Sequence, residues 1–218
     1  MAPGRVTNGE LFDAQGRVDL DEGVVLLRGR ARADAAALLA AVETLLAVAP
    51  LRRMVTPGGL TMSVAMTNCG ECGWVSDRKG YRYASVDPDS GRPWPALPAP
   101  FARLASAAAA EAGFADFAPD VCLVNEYLPG TKLTLHQDRD EASFAWPIVS
   151  VSLGASATFL LGGLRRRDRT QRLPLHHGDV LIWGGPARLR HHGVLPLKAE
   201  PHPLLGERRI NLTLRRAL

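Results

Sequence analysis

From residue 121 onward the chain breaks into a succession of short, strand-like runs, and this pattern limits the possible fold more than any other feature. "VCLVNEYL", "KLTLHQ", "PIVSVSLG", "ATFLLGG", "RLPLHHGD", "VLIWGG", "HHGVLPL" and "RINLTLRR" follow one another with short turns of Gly, Pro and Asp between them. Many short strands at even spacing predict a sandwich or barrel, here a jelly roll, mainly β with flanking helices. Upstream, "VVLLRG" (residues 24–29) reads as a buried strand and residues 1–18 as a loose polar lead-in. "DAAALLAAVETLLAVAP" predicts a helix: Leu38, Leu39, Val42, Leu45 and Leu46 recur at helical spacing, Asp34 is placed to cap the first turn, and Pro50 stops it. "LPAPFARLASAAAAEAG" predicts a second, with Pro98 and Pro100 near its start and Gly113 at its end.

Between the helices, residues 56–95 are dense in Gly, Pro, Asn and Asp and interleave aromatics with basic residues, which predicts hairpins and loops. No internal repeat or low-complexity linker appears, so the expectation is one domain over residues 1–218. With 46% hydrophobic and 22% charged residues the chain can bury a core. No run approaches the roughly 18 apolar residues of a membrane span, and the start shows no secretory signal. Three cysteines, Cys69, Cys72 and Cys122, do not make a disulfide framework and favour a reducing, cytoplasmic setting. One CxxC pair, Cys69 and Cys72, is weak evidence for zinc. The net charge of +4 permits an anionic partner. Only Lys79, Lys132 and Lys198 among the 26 basic residues are lysine, so arginine clusters such as residues 165–169 carry little weight.

Two stretches carry chemistry. In "LTLHQDRDE" (residues 133–141), side chains two apart on a strand share a face, so His136 and Asp138 can reach one point. One imidazole, one carboxylate and a second imidazole make a facial triad suited to iron(II), with coordination positions left open. "LRHHG" offers His191 and His192 for the third corner; neighbours on a strand face opposite ways, so only one can serve. His176 and His177 precede a "GD" turn signal and read as turn residues, and His202 lies between prolines with no assigned role. In "RRINLTLRR", Arg209, Asn211, Thr213 and Arg215 fall on one face and Ile210, Leu212 and Leu214 on the other. If the polar face points into a barrel, its arginines need anionic partners, and a small dicarboxylate fits; the alternative is an edge strand with its polar face in water. Asn125 and Tyr127 of "VCLVNEYL" likewise share a face and can donate to one ligand.

Taken in order, "MVTPGGLTMSVAMTNCG", "GW", "GYRY", "PWP", "FAPDVCLVNEYLPG", "LHQDRDE", "IVSVSLG", "HGDVLIWGG", "HHG" and "RINLTLR" resemble the AlkB family of iron(II)- and 2-oxoglutarate-dependent dioxygenases. The likeness covers roughly residues 50–216 and selects His192 over His191. It implies a double-stranded β-helix over about residues 120–216 and a nucleotide-recognition lid over about residues 50–95. It implies iron held by His136, Asp138 and His192, which are also the catalytic centre, and 2-oxoglutarate held by Asn125, Tyr127, Arg209, Asn211 and Arg215. Trp74 and Tyr81 would belong to the lid, Trp74 stacking on a flipped base against His136. Thr56, Met66, Tyr83, Asp140, Glu141 and Arg166 match positions on the substrate side, and Leu123 and Trp183 the pocket wall. The chain departs from the family at Arg190 and His191, where the bacterial relative is aromatic, and at Cys72.

The activity implied is oxidative dealkylation of N-alkylated bases in DNA, single- or double-stranded, of the 1-methyladenine and 3-methylcytosine type. It consumes O2 and 2-oxoglutarate and releases formaldehyde, succinate and CO2. A base in a duplex must be flipped out to reach such a site. The same chemistry on RNA and a non-catalytic jelly-roll binding module are the alternatives. No membrane and no obligate protein partner are implied, and a monomer is the default.

Overall fold

Period-two alternation dictates how the strands stack. The computed structural model describes residues 16–218, so the expected lead-in over residues 1–15 lies outside the described residues. Residues 16–18, expected to continue it, instead begin β1 (Gly16–Asp21), which forms a hairpin with β2 (Val24–Arg28). Helix α1 (Ala35–Val48) follows, then β3 (Ala65–Gly70), β4 (Gly73–Asp77), β5 (Gly80–Ala84) and helix α2 (Ala99–Glu111). The strand-rich half supplies β6 (Val121–Tyr127), β7 (Leu133–His136), β8 (Ile148–Gly154), β9 (Ala157–Leu161), β10 (Gln171–Leu175), β11 (Val180–Trp183), β12 (His192–Val194) and β13 (Arg209–Arg215). Each run expected there to be a strand forms one.

The strands make a seven-stranded sheet, β1-β2-β11-β8-β13-β6-β3, a four-stranded sheet, β10-β9-β12-β7, and the separate β4-β5 hairpin. Strand β3, inside the segment the family likeness reads as lid, is an edge strand of the large sheet, paired with β6. Along the central strands alternate residues go to two cores. Val149, Val151, Val180, Ile182, Ile210, Leu212 and Leu214 pack with α1 and α2, through Leu38, Val42, Leu45, Phe101 and Leu104. Ile148, Leu181, Trp183, Leu123 and Tyr127 pack toward the small sheet, against Phe159, Leu161, Leu173 and Leu175. The fold is therefore the expected jelly roll with both helices laid on the outer face of the large sheet.

Asp34 occupies the N-cap of α1 but makes no side-chain cap. Its backbone is already helical (φ −90°, ψ −7°), not the extended conformation that aims a carboxylate at the free N–H groups. It lies 3.8 Å from Arg30 instead. The CxxC cysteines are both buried but in separate clusters, Cys69 in the helix-side core and Cys72 beside Val121 and Ala217. Burial, with the nearby charges of Asp120 and Glu71, pushes the Cys72 thiol up to about 12, which opposes the thiolate that zinc needs.

Leu38 is fully buried between α1 and the large sheet. Leu38→Ala is expected to cost about 2–5 kcal/mol, measured as a lower denaturation midpoint with unchanged m-value.

Candidate metal centre and cavity

Pairing register builds the centre. Strand β12 runs antiparallel to β7 with His192 directly opposite His136, and the two rings lie 4.4 Å apart. Asp138 follows two residues after His136. One ligand atom from each of His136, Asp138 and His192 lies within 4.8 Å of the others. Among the described residues this is the group of three or more His, Cys, Asp or Glu side chains able to hold a metal ion.

Backbone carbonyls orient both imidazoles. His136 Nδ1 lies 2.8 Å from Thr134 O and His192 Nδ1 3.0 Å from Arg190 O. A carbonyl only accepts, so each Nδ1 carries a proton and each ring is left to offer Nε2 as its ligand atom. Those Nε2 atoms stand 3.6 and 3.7 Å from the Asp138 carboxylate. Burial, reinforced by His136, depresses His192 to about 4, so at neutral pH its contact with Asp138 is convergence of lone pairs and not an ion pair. Burial by itself would raise Asp138. The Arg215 guanidinium, donating from Nη2 (2.5 Å) and Nε (3.0 Å), holds it well below the usual carboxylate range.

Asp138 does not reach the site by strand alternation as expected. Strand β7 ends at His136 and Asp138 sits in the following loop. Its position is set by Arg215 at the carboxylate and by Arg188, whose Nη1 donates to Asp138 O at 2.8 Å.

The triad opens on a cavity of about 790 Å³. Every residue nominated for the site from the sequence lines it: those for iron, those for 2-oxoglutarate, those for substrate, and the walls Leu123 and Trp183. On the β13 wall, Arg209 is buried and burial lowers it to about 10, so it stays charged at neutral pH. Its Nη2 donates to Ser152 Oγ (2.9 Å), while Nε and Nη1 are buried with no hydrogen-bond partner among the described residues. Such unpaired donors are costly unless an anion meets them, so the wall fits a carboxylate. Asn211 is held by Ser150 Oγ (2.8 Å) and Val151 O (3.0 Å), and Thr213 links it to Asn125. Tyr127 pairs across from Arg209 on β6.

The β4-β5 hairpin also lines the cavity. Trp74 and Tyr81 stack at 5.5 Å with 13° between planes, and Trp74 Nε1 donates to Asp140 at 2.8 Å. Tyr83 donates to Glu141 Oε1 at 3.1 Å. The two acids, alike in the sequence, differ in place. Asp140 is exposed, whereas Glu141 is buried and ion-paired with Arg188 (3.1 Å) and Arg215 (3.3 Å). Its charge is thereby matched inside the protein. Arg166 lies in the loop between β9 and β10, Thr56 accepts the Leu60 N–H at 3.1 Å, and Met66 is buried on β3.

Three residues escaped the sequence reading. Ser150 and Ser152 alternate with Val149, Val151 and Leu153, and that period would have put them on the Arg209 face. Arg188 had no signal in so arginine-rich a chain. His176 and His177 sit in the turn after β10, as expected, with Ser156 2.8 Å from His176 Nδ1 and the Gly154 N–H donating to His177 Nδ1. His202, given no role, lies against His177 with ring centres 4.4 Å apart and planes tilted by 31°.

Residues 23–215 match the family model of the 2OG-Fe(II) oxygenase superfamily. The chain is 56% identical over 198 residues to the alpha-ketoglutarate-dependent dioxygenase AlkB of Salmonella typhimurium, covering 91% of this chain and 92% of that one. It is 53% identical, with the same coverage, to the enzyme of that name from Escherichia coli. The solved structure of OsALKBH1 superimposes with a TM-score of 0.80 at 29% identity, covering 92% of this chain and all of that one.

Gly193 follows His192 where β12 meets β7, and a Cβ there would lie 2.7 Å from Leu133 O. Gly193→Ala is expected to prise β7 from β12, costing about 1–3 kcal/mol and weakening Fe(II) binding, both measurable by thermal unfolding with and without metal.

Proposed function

Because the chain belongs to the 2OG-Fe(II) oxygenase superfamily and, within it, to the AlkB family, we propose that it restores alkylated bases in DNA. It is an Fe(II)- and 2-oxoglutarate-dependent dioxygenase that dealkylates nucleic-acid bases oxidatively. The observation that carries the reading is the convergence of two imidazoles and a carboxylate beside an arginine whose buried donors lack partners among the described residues. His136, Asp138 and His192 would hold the iron. Arg209 would take the far carboxylate of 2-oxoglutarate, with Asn125, Tyr127, Asn211 and Arg215 completing that pocket. Iron and 2-oxoglutarate, when bound, supply hydroxylation of the alkyl carbon by O2 coupled to decarboxylation of the cosubstrate to succinate, after which a methyl group leaves as formaldehyde.

The chain's own residues bind and orient. A base turned out of its strand can be held by aromatic stacking, and Trp74, itself stacked on Tyr81, lines the same cavity as the triad. The apolar wall of Leu123, Phe159 and Trp183 excludes water from the reacting carbon. Lesions of the 1-methyladenine and 3-methylcytosine type are cationic, and the exposed Asp140 carboxylate at the cavity suits a positive base. Among the described residues no helix is long and apolar enough to cross a membrane, and the setting we propose is the cytoplasm, with the chain acting as a monomer on single- or double-stranded DNA.

Anaerobic addition of Fe(II) and 2-oxoglutarate is expected to produce the weak visible charge-transfer band of the chelated cosubstrate. Admitting oxygen and a methylated oligonucleotide should then release formaldehyde; a band without formaldehyde rejects the substrate, and no band rejects the oxygenase. His136→Ala should abolish the band, whereas Trp74→Ala should spare it and lower turnover on DNA. Asp140→Asn should reduce repair of cationic lesions more than of neutral 1-methylguanine, both read as kcat/KM. Because Asp140 also accepts the Trp74 N–H, some loss on both is expected, and equal losses would remove its electrostatic role.

A further inference from the structure

The loop that carries Asp138, Asp140 and Glu141 runs from the end of β7 to the start of β8 with no helix or strand of its own. One side chain outside it touches it at four points. Arg188, in the turn just before β12, donates from Nε to Trp146 O (3.0 Å) and from Nη1 to Asp138 O (2.8 Å). Its Nη2 pairs with Glu141 Oε2 (3.1 Å), and its guanidinium lies 5.5 Å from the Phe144 ring centre. The side chain is 3% exposed and that of Glu141 1%. A second stitch lies alongside, with Gln137 Nε2 donating to Leu189 O at 2.5 Å.

We propose that Arg188 is a positioning residue that staples this loop to the strand carrying His192 and so fixes the distance between the two halves of the metal site. The inference rests on the reading of the site as an Fe(II) and 2-oxoglutarate centre. His136 and His192 are set by the β7–β12 ladder, but Asp138 lies beyond the end of β7. Arg215 orients its carboxylate from β13. Arg188 holds its backbone, from a residue four before His192. Through Glu141 the same staple reaches Arg215 and, at Tyr83, the β4-β5 hairpin. A planar guanidinium can serve two carbonyls and a carboxylate at once, because its donors diverge in a fixed fork; the point charge of a lysine cannot.

The test is an anaerobic Fe(II) titration in the presence of 2-oxoglutarate, followed by the charge-transfer band. Arg188→Lys is compared with the unaltered protein and with Leu38→Ala, a variant destabilised in a core remote from the triad. Arg188→Lys is expected to bind Fe(II) about 10- to 100-fold more weakly, the range for loss of a group that holds a metal ligand in place. Leu38→Ala should bind as the unaltered protein does. Equal affinity in Arg188→Lys and the unaltered protein, or equal weakening in Leu38→Ala, overturns the proposal while leaving the oxygenase reading intact. Absence of the band from the unaltered protein overturns both. If Arg188→Lys does not fold, Glu141→Gln is used: faster amide exchange across residues 137–147 with weaker Fe(II) binding supports the staple, and neither change overturns it.

Discussion

Strand β13 imposes the constraint on which the rest of the molecule depends. It lies between β8 and β6 in the large sheet and is buried on both faces. Ile210, Leu212 and Leu214 point one way and require an apolar cover, which α1 and α2 provide. Arg209 and Arg215 point the other way, and a buried guanidinium is tolerated only where hydrogen bonds and opposite charge meet it. Arg215 finds Asp138 and Glu141. Among the described residues Arg209 finds Ser152 as its side-chain acceptor and keeps two donors unpaired. The helical layer and the reactive cavity are thus two consequences of one alternating strand.

Charge balance then organises the floor of the cavity. Arg188, Glu141, Arg215 and Asp138 form a chain of alternating sign, nearly excluded from water. Among the described residues Asp138 depends on Arg215, and Arg188 on Glu141, for its opposite charge. Arg215 is driven further toward its charged form: burial opposes this, but Asp138, Tyr83 and Glu141 outweigh it. Because Tyr83 comes from the β4-β5 hairpin, the network ties that hairpin to Asp138.

Much of this was legible in the sequence because both signals are local. Period-two alternation exposed the strands from β6 to β13 and the two faces of β13. Helical spacing at Leu38, Val42 and Leu45 marked α1. Where local signals misled, a backbone detail intervened. Asp34 has a good capping side chain on a backbone already turned helical. Asp138 was read as a strand residue, yet the strand stops at His136, and Asp138 is held in the following loop by Arg188 and Arg215. The adjacent acids Asp140 and Glu141 were indistinguishable in sequence, since only burial beside Arg188 and Arg215 separates a matched interior charge from a solvent-facing one.

The sequence by itself determined the strand pattern, the amphipathic helices, the polar face of β13 and, through the order of its motifs, the family. Those properties depend on neighbours within a few residues, or on the identity of residues in order. The tertiary structure alone decided that His192 stands opposite His136, because a register between β7 and β12, more than 50 residues apart in the chain, is set by the packing of whole sheets. It also decided the role of Arg188. One arginine among so many acquires a task only when the fold brings two carbonyls and a carboxylate within reach of its fork.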